Sequence, residues 1–541
     1  MKRIIDYYLL EWKFSRLRKP LLLRGARQIG KTYAARQLGS TYESFIEINL
    51  EYEPKLHSAF AGKLDPKEII VTLSAHIDKK IIPGKTLLFI DEIQACPQAI
   101  IALRYFHEIM PELHVIAAGS LLDFAIQQIG VPVGRVQALY MHPVSFMEYL
   151  ANSHPLIAQL IMHHNPEQNI KEPIHTKCLQ LLTQYLAIGG MPAAIQHWID
   201  HQDPLEIAQI HTSILDFYRQ DFNKYAKKHE IKYVEKIFNQ IPAQLGQKFK
   251  YNLIDGEYRK RELAPALDLL VTAGIAHKVY YSAGQGIPLG AQHSDVDYKV
   301  IFLDTGLAQT NLKLKITQWF VQPLQEFINK GSLMEGFVGQ ELAAYDTPHT
   351  KNDLFYWHKD SSPQQAEIDY LVQIDNKIIP IEVKSGDGRT LKSLHRFLET
   401  HTQSPYGIKF STQDYSIHDK IHSYPLYAIA QAMNNFTTDT KNALVTLIEQ
   451  AKVINYSPHQ LFDIEQLLLN SSPFQEQLLI INYRDDAEDS NLNQTITTLQ
   501  NMFIITNPKI QQLHLQHTNL QIVQLMHNGK IIWQTSVMSR L

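Results

Sequence analysis

A chain of 541 residues is longer than one hydrophobic core organises, so roughly three or four domains are expected. Apolar residues make up 45% and charged residues 19%, which excludes a disordered chain, and a formal net charge of -3 excludes nucleic-acid binding by bulk positive charge. The two cysteines, Cys96 and Cys178, stand far apart and in no CxxC pattern, which argues against a disulfide framework or zinc site and suits a reducing cytoplasm.

The N-terminal stretch MKRIIDYYLLEWKFSRLRKP is broken by charge every few residues and does not read as a signal peptide. No run of about 18 apolar residues occurs, so no membrane span is expected and the chain reads as cytoplasmic. LLLRG at 21–25, SFIEINL at 44–50, TLLFIDE at 86–92 and HVIAAGS at 114–120 read as buried strands separated by helix-compatible segments. That rhythm predicts an α/β core with a largely parallel sheet over 1–145. FMEYLANS, KCLQLLTQYLAI and TSILDFYRQDFNKYAKK then read as helices, a lid or subdomain over 146–235. Over 236–315, RELAPALDLLVTAGI predicts a helix stopped by Gly274, and AHKVYYSA and YKVIFLD predict two strands. Helices followed by a hairpin fit a winged-helix-like module, and a generic α+β subdomain fits the same pattern. The helix LMEGFVGQELAAY and the strands DLFYWHK, EIDYLVQI, KIIPIEVKSG and PYGIKFS predict a second α/β unit over 316–430. The apolar runs EQLLIINY, LQNMFIITN and QIVQLMHNGKIIWQTS predict a small α/β extension over 431–541, with no visible chemistry.

The run Gly25-Ala26-Arg27-Gln28-Ile29-Gly30-Lys31-Thr32 fits G-x-x-x-x-G-K-[ST] at every defined position, between a strand and a helix. Glycines let the loop backbone aim successive N–H groups at phosphates, and the following helix points its N-terminus at the same charge. Lys31 is expected on the β- and γ-phosphates and Thr32 on Mg²⁺, so ATP and magnesium are the expected cofactors, with the site running from Gly25 to Tyr33. The apolar strand ending in Asp91-Glu92, some 60 residues on, supplies the partner signal. Asp91 would hold the metal, and Glu92 would polarise the attacking water. Ser120 ends the next strand, where a polar side chain can sense the γ-phosphate; capping the helix that follows is an equally natural role. Arg104 and Arg135 are candidates for a transition-state arginine, with a plain surface role as the competing reading.

The stretches RGARQIGKT, LLFIDEIQACP, IAAGSLLDF, GRVQALYMHPVSFMEYL, YLAIGGMP, KVIFLDTGLA, LMEGFVGQEL and EIDYLVQI…KIIPIEVKSG appear in order across residues 1 to about 428. In these the chain resembles the prokaryotic AAA-type ATP-binding proteins whose ATPase core precedes a C-terminal domain with a restriction-endonuclease-like fold. The resemblance implies an AAA core, a helical and winged-helix-like middle and a nuclease-like end. It does not cover the last hundred or so residues.

Within that end, EIDYLVQI and KIIPIEVKSG are joined at Asp375-Asn376, a natural hairpin turn. Glu382 and Lys384 lie two apart on a strand and share a face, and Asp369 can meet them across the hairpin. Two carboxylates and a lysine are what metal-dependent phosphodiester hydrolysis uses, the acids holding Mg²⁺ and the lysine positioning the nucleophile. The pattern resembles that of PD-(D/E)xK nucleases, in which Glu335 matches an additional acid and Glu367 is an alternative. A solvated strand face is the competing reading, and acidic and basic residues nearly balance between 351 and 430. Two functions follow as expectations. One is an ATPase that processes DNA through the nuclease-like domain; the other is a nucleotide switch whose C-terminal parts bind a protein or DNA, the extension offering a surface for a protein partner.

Overall fold

The computed structural model describes residues 1–130, 134–321, 331–351, 353–359, 365–374, 376–384, 391–434, 438–449, 451–456, 478–483, 522–527 and 530–536. They form two compact units, Met1–Lys441 and Asn442–Leu541.

The first unit begins with helix α1 (Ile4–Phe14) and a sheet of β1 (Leu21–Arg24), β2 (Ser44–Asn49), β3 (Thr86–Asp91), β4 (His114–Ala118) and β5 (Gln137–Tyr140). All five strands are parallel, in the order β2-β3-β4-β1-β5. Helices α2 (Lys31–Gly39), α3 (Pro66–Ile77), α4 (Pro97–Ile109) and α5 (Leu122–Ile129) make the crossovers. Every residue of β3 is buried, as expected of a central strand with paired edges and covered faces. Leu22, Ile46, Leu88, Ile90 and Val115 meet Ile69, Leu73, Ile100 and Leu103 in one core. The first four strands lie where the sequence predicts them. β5 is not among the strands the sequence predicts, because QALY is only four residues long; pairing with β1 makes it a strand.

A helical segment follows: α6 (Phe146–Ser153), α7 (Pro155–His163), α8 (Glu172–Ile188), α9 (Pro192–His201) and α10 (Pro204–Tyr225). Ser145 and Glu148 cap α6 reciprocally. Asp203 accepts from Leu205 and Glu206 to start α10, with Pro204 at its first position.

Beyond α11 (Ile231–Gln240) and α12 (Lys260–Thr272), strands β6 (Ala276–Ser282) and β7 (His293–Phe302) pair antiparallel. They are not a free wing. β6 also pairs in parallel with β8 (Leu354–Lys359), from Val279↔Leu354 to Tyr281↔Tyr356. The hairpin thereby extends the sheet of β9 (Ala366–Ile374), β10 (Lys377–Val383), β11 (Gly407–Ser411), β12 (Ser416–His418) and β13 (Ile421–Pro425), in the order β12-β13-β11-β10-β9-β8-β6-β7. A boundary at 315/316 therefore divides one continuous sheet, because β6 satisfies backbone groups on both of its edges. Helices α13 (Thr305–Asn311), α14 (Gln318–Val321), α15 (Gly331–Tyr345), α16 (Lys392–Thr400) and α17 (Ile429–Asn434) complete this part. Leu394, Phe397 and Leu398 of α16 pack on Trp357, Ile368, Leu371 and Ile378. The β9–β10 connection is two residues long, as the hairpin reading requires, and Asn376 takes φ +63°; Asp375 lies outside the described residues.

The second unit contains β14 (Ala451–Tyr456), β15 (Leu478–Tyr483), β16 (Ile522–His527) and β17 (Lys530–Ser536), with α18 (Thr438–Glu449) spanning the division. β14, β15 and β16 are parallel and β17 returns antiparallel. The expected strand LQNMFIITN lies outside the described residues. Among the described residues no helix is long and apolar enough to cross a membrane.

Candidate nucleotide site and a second carboxylate cluster

The loop between β1 and α2 owes its shape to backbone that side chains resist. Gly25 has φ +128°, and a Cβ there would meet the Met141 carbonyl oxygen at 2.4 Å; Gly30, at φ +96°, caps α2. The side chains of Ala26 and Ile29 are buried in the fold, which leaves their backbone groups to line the loop. Lys31 folds back so that its ammonium donates to the carbonyls of Gly25 (2.8 Å) and Ala26 (2.6 Å). Burial lowers its pKa to about 8, against the opposing pull of Glu92 and Asp91. Thr32 donates to Asp91 Oδ2 at 3.0 Å, and burial raises the Asp91 pKa despite that bond. The two oxygens fit a magnesium ion, since neighbouring ligands of an octahedral ion with bonds of about 2.1 Å stand about 3 Å apart.

β4 lies between β1 and β3, which brings Ser120 to Glu92. Glu92 Oε2 accepts from the Ser120 backbone N–H at 3.2 Å, from its hydroxyl at 3.3 Å and from Gln94 at 2.6 Å. Ser120 does not cap α5, whose N-cap is Leu121 with no side-chain bond. Glu92 itself sits at φ +47°, ψ +45°, a left-handed conformation that costs a side chain about 1–2 kcal/mol. Tyr33 is half exposed on α2, its hydroxyl accepting from the Met1 amino group.

Several residues grip the loop that sequence reasoning missed. Arg27 forms an ion pair with Asp221 of α10, with contacts of 2.5 and 2.6 Å, and Tyr218 of α10 donates to the Arg27 carbonyl at 2.9 Å. Gly274, at φ +73° after α12, lies so close that a Cβ would stand 3.2 Å from the Ala26 nitrogen. Arg3 donates to the Ile29 carbonyl at 3.2 Å and is held by Glu148 of α6 at 2.8 Å. Arg104 and Arg135 are exposed and share Glu108 near the end of α4. Arg135 precedes β5, whose first residue pairs with the first residue of β1, so both arginines lie at the opposite edge of the sheet from the loop.

A second constellation forms where α15, β7, β9 and β10 meet. Glu382 Oε1 and Lys384 Nζ are 2.5 Å apart, and Asp369 Oδ2 accepts from the Val383 N–H at 2.7 Å, so the three residues read from the sequence do converge. Glu335 of α15 joins them. So does Lys299 of β7, only 2% exposed, whose ammonium lies 2.7 Å from Glu335 Oε1 and 3.7 Å from Asp369 Oδ1 and also pairs with Glu367. Burial raises the pKa values of Glu335, Asp369 and Glu382, with neighbouring acids adding to the effect at all three. Burial pulls the Lys299 pKa down, but the surrounding carboxylates raise it further, to a net rise. Its signal in the sequence is a lysine inside the apolar strand run YKVIF. Among the described residues no three His, Cys, Asp or Glu side chains stand close enough to hold a metal ion. As folded, the cluster does not fit a divalent cation, because an ammonium stands among its acids.

Residues 17–150 match the model of an AAA domain. Residues 179–318 and 330–429 match two domains of unknown function, DUF8612 and DUF4143. No curated protein matches the chain. Among solved structures, the Aeropyrum pernix ORC1 protein in complex with DNA is similar at 12% identity over 58% of this chain and 92% of that one, with a TM-score of 0.22. The S. cerevisiae Hsp104–ADP complex is similar at 14% identity over 62% of this chain and 42% of that one, also with a TM-score of 0.22. The N-terminal α/β core is similar to AAA domains over residues 17–150.

Proposed function

We propose that the chain binds and hydrolyses ATP at Gly25–Thr32, and that its nucleotide state is read by the middle segment through α10. The observation that carries this is the meeting of Thr32 with Asp91, beside a Glu92 held by Ser120. Thr32 and Asp91 would hold magnesium, which when bound offsets phosphate charge. The loop N–H groups and Lys31 bind the phosphates, Glu92 orients and deprotonates the attacking water, and Ser120 fixes Glu92. Phosphates arriving at the loop compete with Asp221 for Arg27, so occupancy alters the grip of α10 and can move what α10 touches. Turnover of ATP by the purified protein, lost on Lys31→Ala, tests the reading; equal turnover by that variant refutes it.

A second reading, DNA cleavage by Asp369, Glu382 and Lys384, is supported by their convergence on one face. The buried Lys299 among the acids favours the switch, with the C-terminal sheet serving as a binding module for protein or DNA. Incubation with plasmid and branched DNA, with Mg²⁺ or Mn²⁺ and with or without ATP, separates the two. Cutting that Glu382→Ala abolishes would establish the nuclease.

A further inference from the structure

We infer that Lys299 stands in for the divalent cation of the carboxylate cluster, so that the cluster takes up a divalent metal ion only when this ammonium is removed.

The cluster holds more negative charge than a buried site tolerates alone. Glu335, Asp369 and Glu382 are all largely removed from solvent, with side chains 12%, 15% and 7% exposed. Acids in such surroundings are held by a cation or by hydrogen-bond donors. Lys384 serves Glu382 through Oε1 and the Val383 N–H serves Asp369 through Oδ2. Glu335 Oε1, the exposed Glu367 and Asp369 Oδ1 instead share the Lys299 ammonium. Their oxygens gather on one positive centre.

The match is incomplete in an informative way. Glu382 Oε2 is buried without any hydrogen-bond partner, while its carbon framework belongs to a residue only 5% exposed. An ammonium has only three N–H donors, and Lys299 donates to Glu335, pairs with Glu367 and stands 3.7 Å from Asp369 Oδ1, beyond hydrogen-bond length. A divalent ion of the magnesium kind takes about six oxygens, more than an ammonium can serve. The orphan oxygen is thus a buried acceptor that neither lysine serves.

The lysine also comes from outside the segment that carries the acids. β7 lies in the region matched to one domain model, whereas Glu335, Glu367, Asp369 and Glu382 lie in the region matched to another. The ammonium is therefore a cation supplied by the middle segment to the C-terminal sheet. It ties the two together as a shared metal would, without dependence on metal supply.

The test uses the full-length, nucleotide-free protein and Mn²⁺ alone, with binding followed by the loss of the free-ion electron paramagnetic resonance signal. Wild type should show no Mn²⁺ binding that Asp369→Asn removes. Lys299→Met should bind about one equivalent at least tenfold more tightly than wild type, and Lys299→Met/Asp369→Asn should lose it. Because removing a buried lysine from among acids can prevent folding, Lys299→Met/Glu335→Gln, with one acid fewer, is measured alongside, with the same outcome expected. Asp369-dependent Mn²⁺ binding by wild type would overturn the inference, since ion and ammonium would then coexist. Folded lysine variants that bind no Asp369-dependent Mn²⁺ would overturn it equally.

Discussion

Acid should loosen α10, the helix that grips the nucleotide loop, through one histidine. His211 of α10 is fully buried, its Nε2 donating to the Ile188 carbonyl at 2.7 Å at the end of α8 and its Nδ1 lying 3.1 Å from the Thr310 hydroxyl of α13. Burial lowers its pKa from 6.5 to about 4. The folded state keeps the ring neutral where the unfolded chain protonates it. Its contribution to stability is therefore intact above pH 6.5 and is lost as pH falls from 6.5 towards 4. With those two values, about 2 kcal/mol is lost between pH 7 and pH 5, and about 3 kcal/mol in all. Asp304, which caps α13 and accepts from Gly190, acts the other way. Burial raises its pKa to about 6, so the folded state gains protons first and recovers about 1 kcal/mol by pH 5.

Because of that opposition the comparison to make is between wild type and His211→Gln, whose amide can still donate to Ile188. Hydrogen exchange of the α10 amides, corrected for intrinsic rates, reports the local opening free energy. Protection in wild type should fall about 30-fold more between pH 7 and pH 5 than in His211→Gln, the equivalent of about 2 kcal/mol. Parallel pH profiles for the two proteins would refute the assignment of the acid response to His211.

Three substitutions probe the nucleotide site more directly. Glu92→Gln should keep nucleotide binding, read by anisotropy of a fluorescent ATP analogue, and lose about 10²- to 10⁴-fold in turnover; weakened binding with turnover intact would contradict its role. Asp221→Asn frees Arg27, and since the guanidinium is one-third exposed the pair is worth only about 1 kcal/mol, so ATP affinity should rise about fivefold by titration. Gly274→Ala places a methyl group against Ala26 in a left-handed backbone. It should destabilise the first unit by about 1–2 kcal/mol in urea unfolding and weaken nucleotide binding along with it.

Much of the site was legible because its residues announce themselves by spacing. The loop motif and the Asp91-Glu92 strand end lie in short, strongly patterned segments, and the strand–helix rhythm around them follows from burial on both sheet faces. Glu382 and Lys384 were readable as neighbours because strand periodicity alone decides which side chains share a face. What stayed hidden depends on long-range packing. Asp221 reads as one more polar residue of an amphipathic helix until α10 is laid on the loop. The hairpin of β6 and β7 reads as a wing because its pairing with β8 spans some 75 residues and leaves no local trace. Arg104 and Arg135 were attractive as arginines in the right part of the sequence, yet strand direction puts them at the other edge of the sheet.

The two sites are joined by a continuous set of buried contacts, and that continuity makes a testable claim about coupling. α15 carries Glu335 in the carboxylate cluster and, six residues on, Glu341, which is 1% exposed. Glu341 accepts from the Phe146 N–H at 3.0 Å and from the Tyr345 hydroxyl at 2.5 Å, so it holds the first turn of α6. Glu148 in that same turn holds Arg3, and Arg3 reaches the Ile29 carbonyl of the loop. Contact alone is no proof of communication, because coupling requires an element with two arrangements that both sites bias. If α6 is that element, Glu341→Gln and Arg3→Gln should each weaken ATP binding, and a double-mutant cycle on ATP affinity should yield about 0.5–2 kcal/mol of interaction. Strict additivity of the two substitutions would refute α6 as the connection and leave α10 as the route by which nucleotide is sensed.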